Sequence, residues 1–356
     1  MVRERAARSY RLCLTASLFD RWLGSPAMAV EEALRALVRP VVVLGAGGTI
    51  SMRGERATPA LDAQALIGSV PALAAVSRLS AQTVLTLPGA HISLGAALAL
   101  GRRAAELAGA GNGVVLTTGT DTLEELAVLC ALLHDGEAPI VLTGANRPAS
   151  AAGADGPANL LDAVAVAGAA SADGLGVCVC FGGEVHAAMT VRKVDSTGPA
   201  AFGSPVTGPV GRVVEGRMWL QARPLRAPTI LPLALEHRVE IVTAALGDDG
   251  GLLAQAIAHA DGVVLVAFGA GHVTPPMLAV LERATIPVLV TTRPERSSML
   301  FSTYGFEGAE GDLRQVGSVC VPFLSPHAAR VALLCCLGAG LDRTAIAAAL
   351  RDSDAH

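Results

Sequence analysis

The sequence predicts an α/β protein of two domains: a larger N-terminal domain on a parallel sheet and a smaller C-terminal α/β domain. From residue 40 onward, short β-branched runs alternate with stretches of helical spacing, the pattern of a parallel sheet covered on both faces. Hydrophobic residues make up 52% of the chain and aromatic residues only 3%. That composition fills a core with Ala, Val, Leu and Ile, as buried parallel strands require. A Pro- and Arg-rich stretch without helical spacing then separates two such alternating blocks, and a length of 356 residues accommodates two cores.

In chain order, PVVVL at 40–44 reads as a strand that ends in Gly45-Ala46-Gly47-Gly48, and a second strand covers 82–87. Helical spacing over 94–107 leads to a strand at 113–117, a helix at 121–134, a strand at 139–143 and a helix at 157–169. Residues 177–189 form a hairpin through Gly182-Gly183, and 204–237 read as a linker. The second block runs strand 240–244, helix 252–259, strand 262–267, helix 275–283, strand 287–291 and helix 326–337. The expected division is an extension over 1–39, an N-terminal domain over 40–203, the linker over 204–237 and a C-terminal domain over 238–351. The extension starts with basic MVRERAARSYR and apolar LCLTASLF, but Asp20 and Arg21 break the run and no small-residue cleavage site follows. The segment is expected to be unstructured, with Met28 as an alternative start ahead of a helical EEALRALV.

Several function classes are excluded. A net charge of -4 and no basic stripe argue against nucleic acid. No run reaches the roughly 18 unbroken apolar residues of a membrane span. The seven cysteines lack CxxC or metal spacing and sit in apolar runs, as small buried hydrophobes in a reducing, cytoplasmic compartment. The scattered histidines offer no metal site, and no cofactor is expected. GAGG lacks the full GxGxxG and its partner acid, so a dinucleotide is not expected either.

One lysine, Lys193, stands against 26 arginines. Arginine keeps its charge, whereas a lysine amine can lose its proton and act as a base, so Lys193 is the first catalytic candidate. The other unusual residues collect beyond the carboxyl ends of strands, where sites in parallel sheets lie. Gly47-Gly48-Thr49-Ile50 lets the backbone turn sharply and presents one hydroxyl. Thr117-Thr118-Gly119-Thr120-Asp121-Thr122 packs four hydroxyls and a glycine around one carboxylate. Thr120 or Asp121 capping the next helix would explain either residue alone, but not the cluster. Pro157 suits the start of a helix, which gives ADGPANL at 154–160 a structural reading.

GGTI at 47–50, TGTDT at 118–122, GANRPAS and ADGPANLLDAV within 144–164, and VRKVDS at 191–196 together resemble the bacterial-type L-asparaginase (asparaginase/glutaminase) family, in the same order and at similar spacing. GAGHV at 269–273 and STYGFEG at 302–308 extend the likeness into the smaller domain. The resemblance implies an amidohydrolase that converts L-asparagine to L-aspartate and ammonia without a cofactor. It makes Thr49 the nucleophile of an acyl-enzyme, pairs Thr120 with Lys193 as base, and gives Asp121 the substrate's α-ammonium. Ala90, His91 and Ala145 fall in segments that line the substrate. The resemblance also implies a homotetramer built as a dimer of dimers.

The chain departs from the family's pattern at several positions. Ala46 replaces the threonine before the GGT glycines, and Thr118 replaces the histidine before GTDT. Ala57 stands where the family carries a tyrosine that closes over the substrate, and Ala90 where it has a carboxylate-binding serine, leaving the backbone, His91 or Ser93 for that task. Asp248-Asp249 faces either a partner's substrate amine or only a DG turn, and His272 ends a strand near a neighbouring site. A related amidase acting on glutamine, a D-amino-acid amide or the glutamine of a tRNA-dependent amidotransferase is the second reading. A binding protein without chemistry is the third.

Overall fold

The computed structural model describes residues 26–54, 58–296 and 298–350. Eight strands form the larger sheet: β1 (Val41–Gly47), β2 (Leu79–Leu87), β3 (Gly113–Thr117), β4 (Ile140–Thr143), β5 (Val177–Phe181), β6 (Glu184–Ala187), β7 (Gly211–Val214) and β8 (Arg217–Leu220). Their spatial order is β8-β7-β6-β5-β4-β3-β1-β2. The strands from β2 to β5 in that order pair in parallel, and β6, β7 and β8 extend one edge antiparallel.

Every residue of β1 and β3 is buried, because helices cover both faces. Successive side chains of a strand point to opposite faces. Val42 and Leu44 accordingly join Leu116 and Leu142 under helices α3 (Leu94–Gly109) and α4 (Leu123–Leu133). Val41 and Val43 join Val115 and Val141 under α1 (Pro26–Arg35), α2 (Ala63–Gly68) and α5 (Gly156–Gly168).

The smaller sheet is parallel and in chain order: β9 (Val239–Thr243), β10 (Gly262–Ala267), β11 (Val288–Thr292) and β12 (Val319–Cys320). Helices α6 (Gly251–His259), α7 (Pro275–Leu281) and α8 (Glu310–Gln315) cover one face. On the other, α9 (Pro326–Gly338) packs against the sheet and against α4 of the larger domain, with α10 (Arg343–Leu350) behind it. Leu333, Leu334, Cys335 and Cys336 thereby enter the same apolar cluster as Leu126, Leu129 and Leu132.

Two sequence expectations need correction. The stretch read as a linker contains β7 and β8, which continue the larger sheet. Glu215 and Gly216, at φ of 51° and 70°, make the two-residue turn with both φ positive that matches the twist of a hairpin. A glutamate in the first turn position hides this signal, since Asn or Asp is the usual one. The extension expected over 1–39 also includes folded chain: α1 places Leu34, 1% exposed, in the core beneath β1. Residues 1–25 lie outside the described residues. Leu34→Ala is expected to cost about 2–5 kcal/mol, the range for deleting a buried Leu side chain. A urea melt that does not move would show that α1 is dispensable.

Candidate active site

Three loops meet at the carboxyl end of the larger sheet, and glycine is what lets them meet. Gly47 and Gly48 close β1 at φ of 85° and 78°, a region that L side chains rarely adopt. A Cβ on Gly48 would lie 2.3 Å from the backbone nitrogen of Gly119, and one on Gly119 would lie 2.6 Å from that of Gly89. The loops after β1, β2 and β3 therefore abut backbone to backbone. Thr49, half-buried, opens the 3-10 turn Thr49–Ser51 at this junction. Ser51 is buried and donates its hydroxyl to the carbonyl of Gly48 at 2.8 Å, which tightens the turn.

Thr120 and Asp121 do not cap a helix. The capping position of α4 is Thr122, whose side chain makes no cap hydrogen bond and donates instead to the carbonyl of Gly89 at 3.2 Å. Thr120, 5% exposed, and Asp121 are free to face Lys193, whose Nζ lies 2.9 Å from Thr120 Oγ1 and 2.9 Å from Asp121 Oδ1. Lys193 sits on a two-residue antiparallel ladder, Arg192–Lys193 against Phe202–Gly203, anchored where Phe202 packs on Phe181 with ring centroids 5.0 Å apart. Arg192 is 8% exposed, and burial, opposed by the nearby carboxylates of Glu124 and Glu295, lowers its affinity for the proton below the usual arginine value. A hydroxyl, a carboxylate and an amine thus converge beside the loop that bears Thr49. This set can relay a proton to or from an oxygen nucleophile.

The surrounding motifs are mostly scaffold. Asp155 accepts from the backbone N–H of Asn146 at 3.0 Å and of Arg147 at 2.9 Å. Asn159 donates to the carbonyl of Gly144 at 3.0 Å and accepts from the N–H of Gly182 at 3.0 Å, so ADGPAN ties the loop after β4 to the hairpin turn. Asn146 reaches the carbonyl of Gly198, just past Lys193, at 2.9 Å. Ala145 is 1% exposed in the core cluster, so only its backbone is available to a polar substrate. Ala90 and His91 are exposed on the loop after β2, whereas Ser93 caps α3 by accepting from Ala96 N at 3.2 Å and is thereby occupied. Ala57 lies outside the described residues. Thr118 is fully buried, with no hydrogen-bond partner for its hydroxyl among the described residues.

In the smaller domain Asp248 and Asp249 each accept, at 2.9 Å, from the N–H two residues on, the contact of a turn leading into α6. His272 Nε2 lies 3.2 Å from the buried Glu310 carboxylate, and its ring stands edge-on to Tyr304 and Phe306, each with centroids 4.9 Å away. Cys130, Cys178, Cys180, Cys335 and Cys336 are free and buried, and burial pushes the thiols of Cys130, Cys178, Cys335 and Cys336 up to about 12, where none is a nucleophile near neutrality. Among the described residues no group of three His, Cys, Asp or Glu is placed to hold a metal ion, and no helix is long and apolar enough to cross a membrane.

Sequence reasoning missed Glu124. Its carboxylate, 12% exposed, accepts the backbone N–H of Lys193 at 2.5 Å and lies 3.5 Å from His327 Nδ1. An acid in the first turn of a helix ordinarily answers the helix dipole, so only the fold distinguishes this one.

Residues 40–226 match the family described as Asparaginase, N-terminal, and residues 238–350 match the Glutaminase/Asparaginase C-terminal domain. A probable L-asparaginase of Deinococcus radiodurans is 36% identical over 310 residues, covering 85% of this chain and 94% of that protein. A probable periplasmic L-asparaginase of Haemophilus influenzae is 30% identical over 319 residues, covering 86% and 90%. The crystal structure of a probable cytoplasmic L-asparaginase from Campylobacter jejuni superimposes with a TM-score of 0.77 at 28% identity, covering 88% of this chain and 99% of that one. With both domains matched and relatives spanned almost end to end, the chain belongs to the bacterial-type asparaginase family, hydrolases that act on amide bonds.

Proposed function

We propose that the protein hydrolyses L-asparagine to L-aspartate and ammonia. The observation that carries this reading is the meeting of Lys193 Nζ with Thr120 Oγ1 and Asp121 Oδ1, each at 2.9 Å, beside the glycine junction that presents Thr49. Asp121, whose side chain is 69% exposed, has room to receive the substrate's α-ammonium. The hydroxyl of Thr49 attacks the side-chain carboxamide carbon, and its proton passes to the departing nitrogen, which leaves as ammonia. The resulting aspartyl ester on Thr49 is then opened by water. In that step Thr120 and Lys193 take a proton from the water and return it to Thr49 Oγ1. The backbone of the loops after β2 and β4, with His91, lines the carboxylate end.

The compartment we propose is the cytoplasm, supported by the free and buried thiols of Cys130, Cys178, Cys180, Cys335 and Cys336 and by the cytoplasmic designation of the Campylobacter protein. A homotetramer, built as a dimer of dimers, follows from the resemblance. Exposed Tyr304 and Phe306, at 49% and 50%, supply apolar surface that a second subunit would cover. Ammonia release measured on L-asparagine, L-glutamine and a panel of other amides tests the substrate. Equimolar aspartate and ammonia from asparagine is the expected result, and faster release from another amide would reassign it.

A further inference from the structure

Two of the groups around Lys193 come from elements that carry no catalytic motif. Glu124 stands in the first turn of α4, yet its carboxylate turns toward the ladder rather than toward water. One oxygen accepts the Lys193 backbone N–H at 2.5 Å and the other lies 3.5 Å from Nδ1 of His327, on α9 of the smaller domain. A carboxylate only 12% exposed needs such partners to offset the water it has lost. Arg192 and Glu295 complete the charge around the ladder, and Glu125 and Arg330 flank the imidazole. The proximity of the Glu124 carboxylate draws the pKa of His327 above its ordinary value, so the two attract more strongly once the imidazole is protonated.

The side chain of Lys193 reaches Thr120 and Asp121 while its backbone N–H is held by Glu124. With only two residues in its ladder, the strand has little hydrogen bonding of its own to set the height of the lysine. We propose that Glu124 is a positioning residue that holds Lys193 at the reach of Thr120, and that His327 steadies Glu124, so that the smaller domain helps set the geometry of the site. The inference rests on Lys193 being the proton-transferring residue of the proposed reaction.

The lone lysine supplies a readout that does not need turnover. Trinitrobenzenesulfonate at fixed pH, read by peptide mass at Lys193, reports how freely the amine moves out of its contacts. Glu124→Ala is expected to lower kcat by about 10- to 100-fold, the usual consequence of a small misplacement, with little change in KM, and to label Lys193 several-fold faster than wild type. Glu124→Gln, which keeps an oxygen for the backbone N–H, should recover much of both. His327→Ala, at a side chain 58% exposed, should fold normally and give a smaller shift in the same direction, and it decides the matter should Glu124→Ala fail to fold. A lower melting temperature in Glu124→Ala with kcat and labelling unchanged would overturn the proposal and leave Glu124 as a helix-end acid. Should no amide be hydrolysed even by wild type, faster labelling still supports positioning, and unchanged labelling refutes it.

Discussion

Thr49→Ala is expected to lower amide hydrolysis by roughly 10⁴- to 10⁶-fold, the scale seen when an activated hydroxyl nucleophile is removed. The hydroxyls of Ser51 and Thr120 are committed elsewhere, and that of Thr118 is fully buried. Ser51 is buried and bonded to the Gly48 carbonyl at 2.8 Å, and Thr120 already accepts from Lys193 at 2.9 Å. Thr49 alone stands at the start of the turn, half-buried, with no hydrogen bond to its hydroxyl among the described residues. Losing a half-buried hydroxyl and methyl should move stability by well under about 1 kcal/mol, within the usual range for a site of this kind. Ammonia release and a thermal melt on the same preparation check both halves. Turnover within about tenfold of wild type, on the scale of the effect above, would shift the nucleophile to Thr120.

Lys193→Arg is expected to cut the rate at least about a hundredfold, the lower end of what a general base contributes. A guanidinium can keep the charge and the bonds to Thr120 and Asp121, but it cannot give up a proton near neutrality. A role that is only electrostatic would therefore survive the exchange. Rates measured for both proteins at pH 7 separate the two. A variant within a few-fold of wild type at pH 7 would remove the base from the mechanism. The side chain is 20% exposed, so the larger group has room to turn outward, and the melting temperature should change little.

The parallel core was legible because its strands are unbroken apolar runs. The sequence placed β3 at 113–117 and β10 at 262–267, the bounds the structure has. The loops at the strand ends were legible through their glycines. What could not be read was any contact made across the fold. The hairpin of β7 and β8 lay hidden behind a Glu-Gly turn within a Pro-rich stretch. Helix α1 looked like an appendage because amphipathic spacing does not say which surface receives it. Ser93 read as a binding candidate until its bond to Ala96 N assigned it to a cap. Glu124 and His327 are more than two hundred positions apart in numbering yet share one interaction, which no local pattern encodes.

Because α9 of the smaller domain and α4 of the larger one contribute to a single apolar cluster, the boundary the family descriptions draw between residues 226 and 238 is not a boundary of cooperative unfolding. Heat should meet one unit: loosening Cys335 or Leu334 exposes Leu126 and Leu129 in the helix that begins two residues after Asp121. Stability bought anywhere along that seam is therefore shared by the loop that would hold the substrate, and an enzyme hardened at its carboxyl-terminal helix would keep its chemistry to a higher temperature without a change near Thr49.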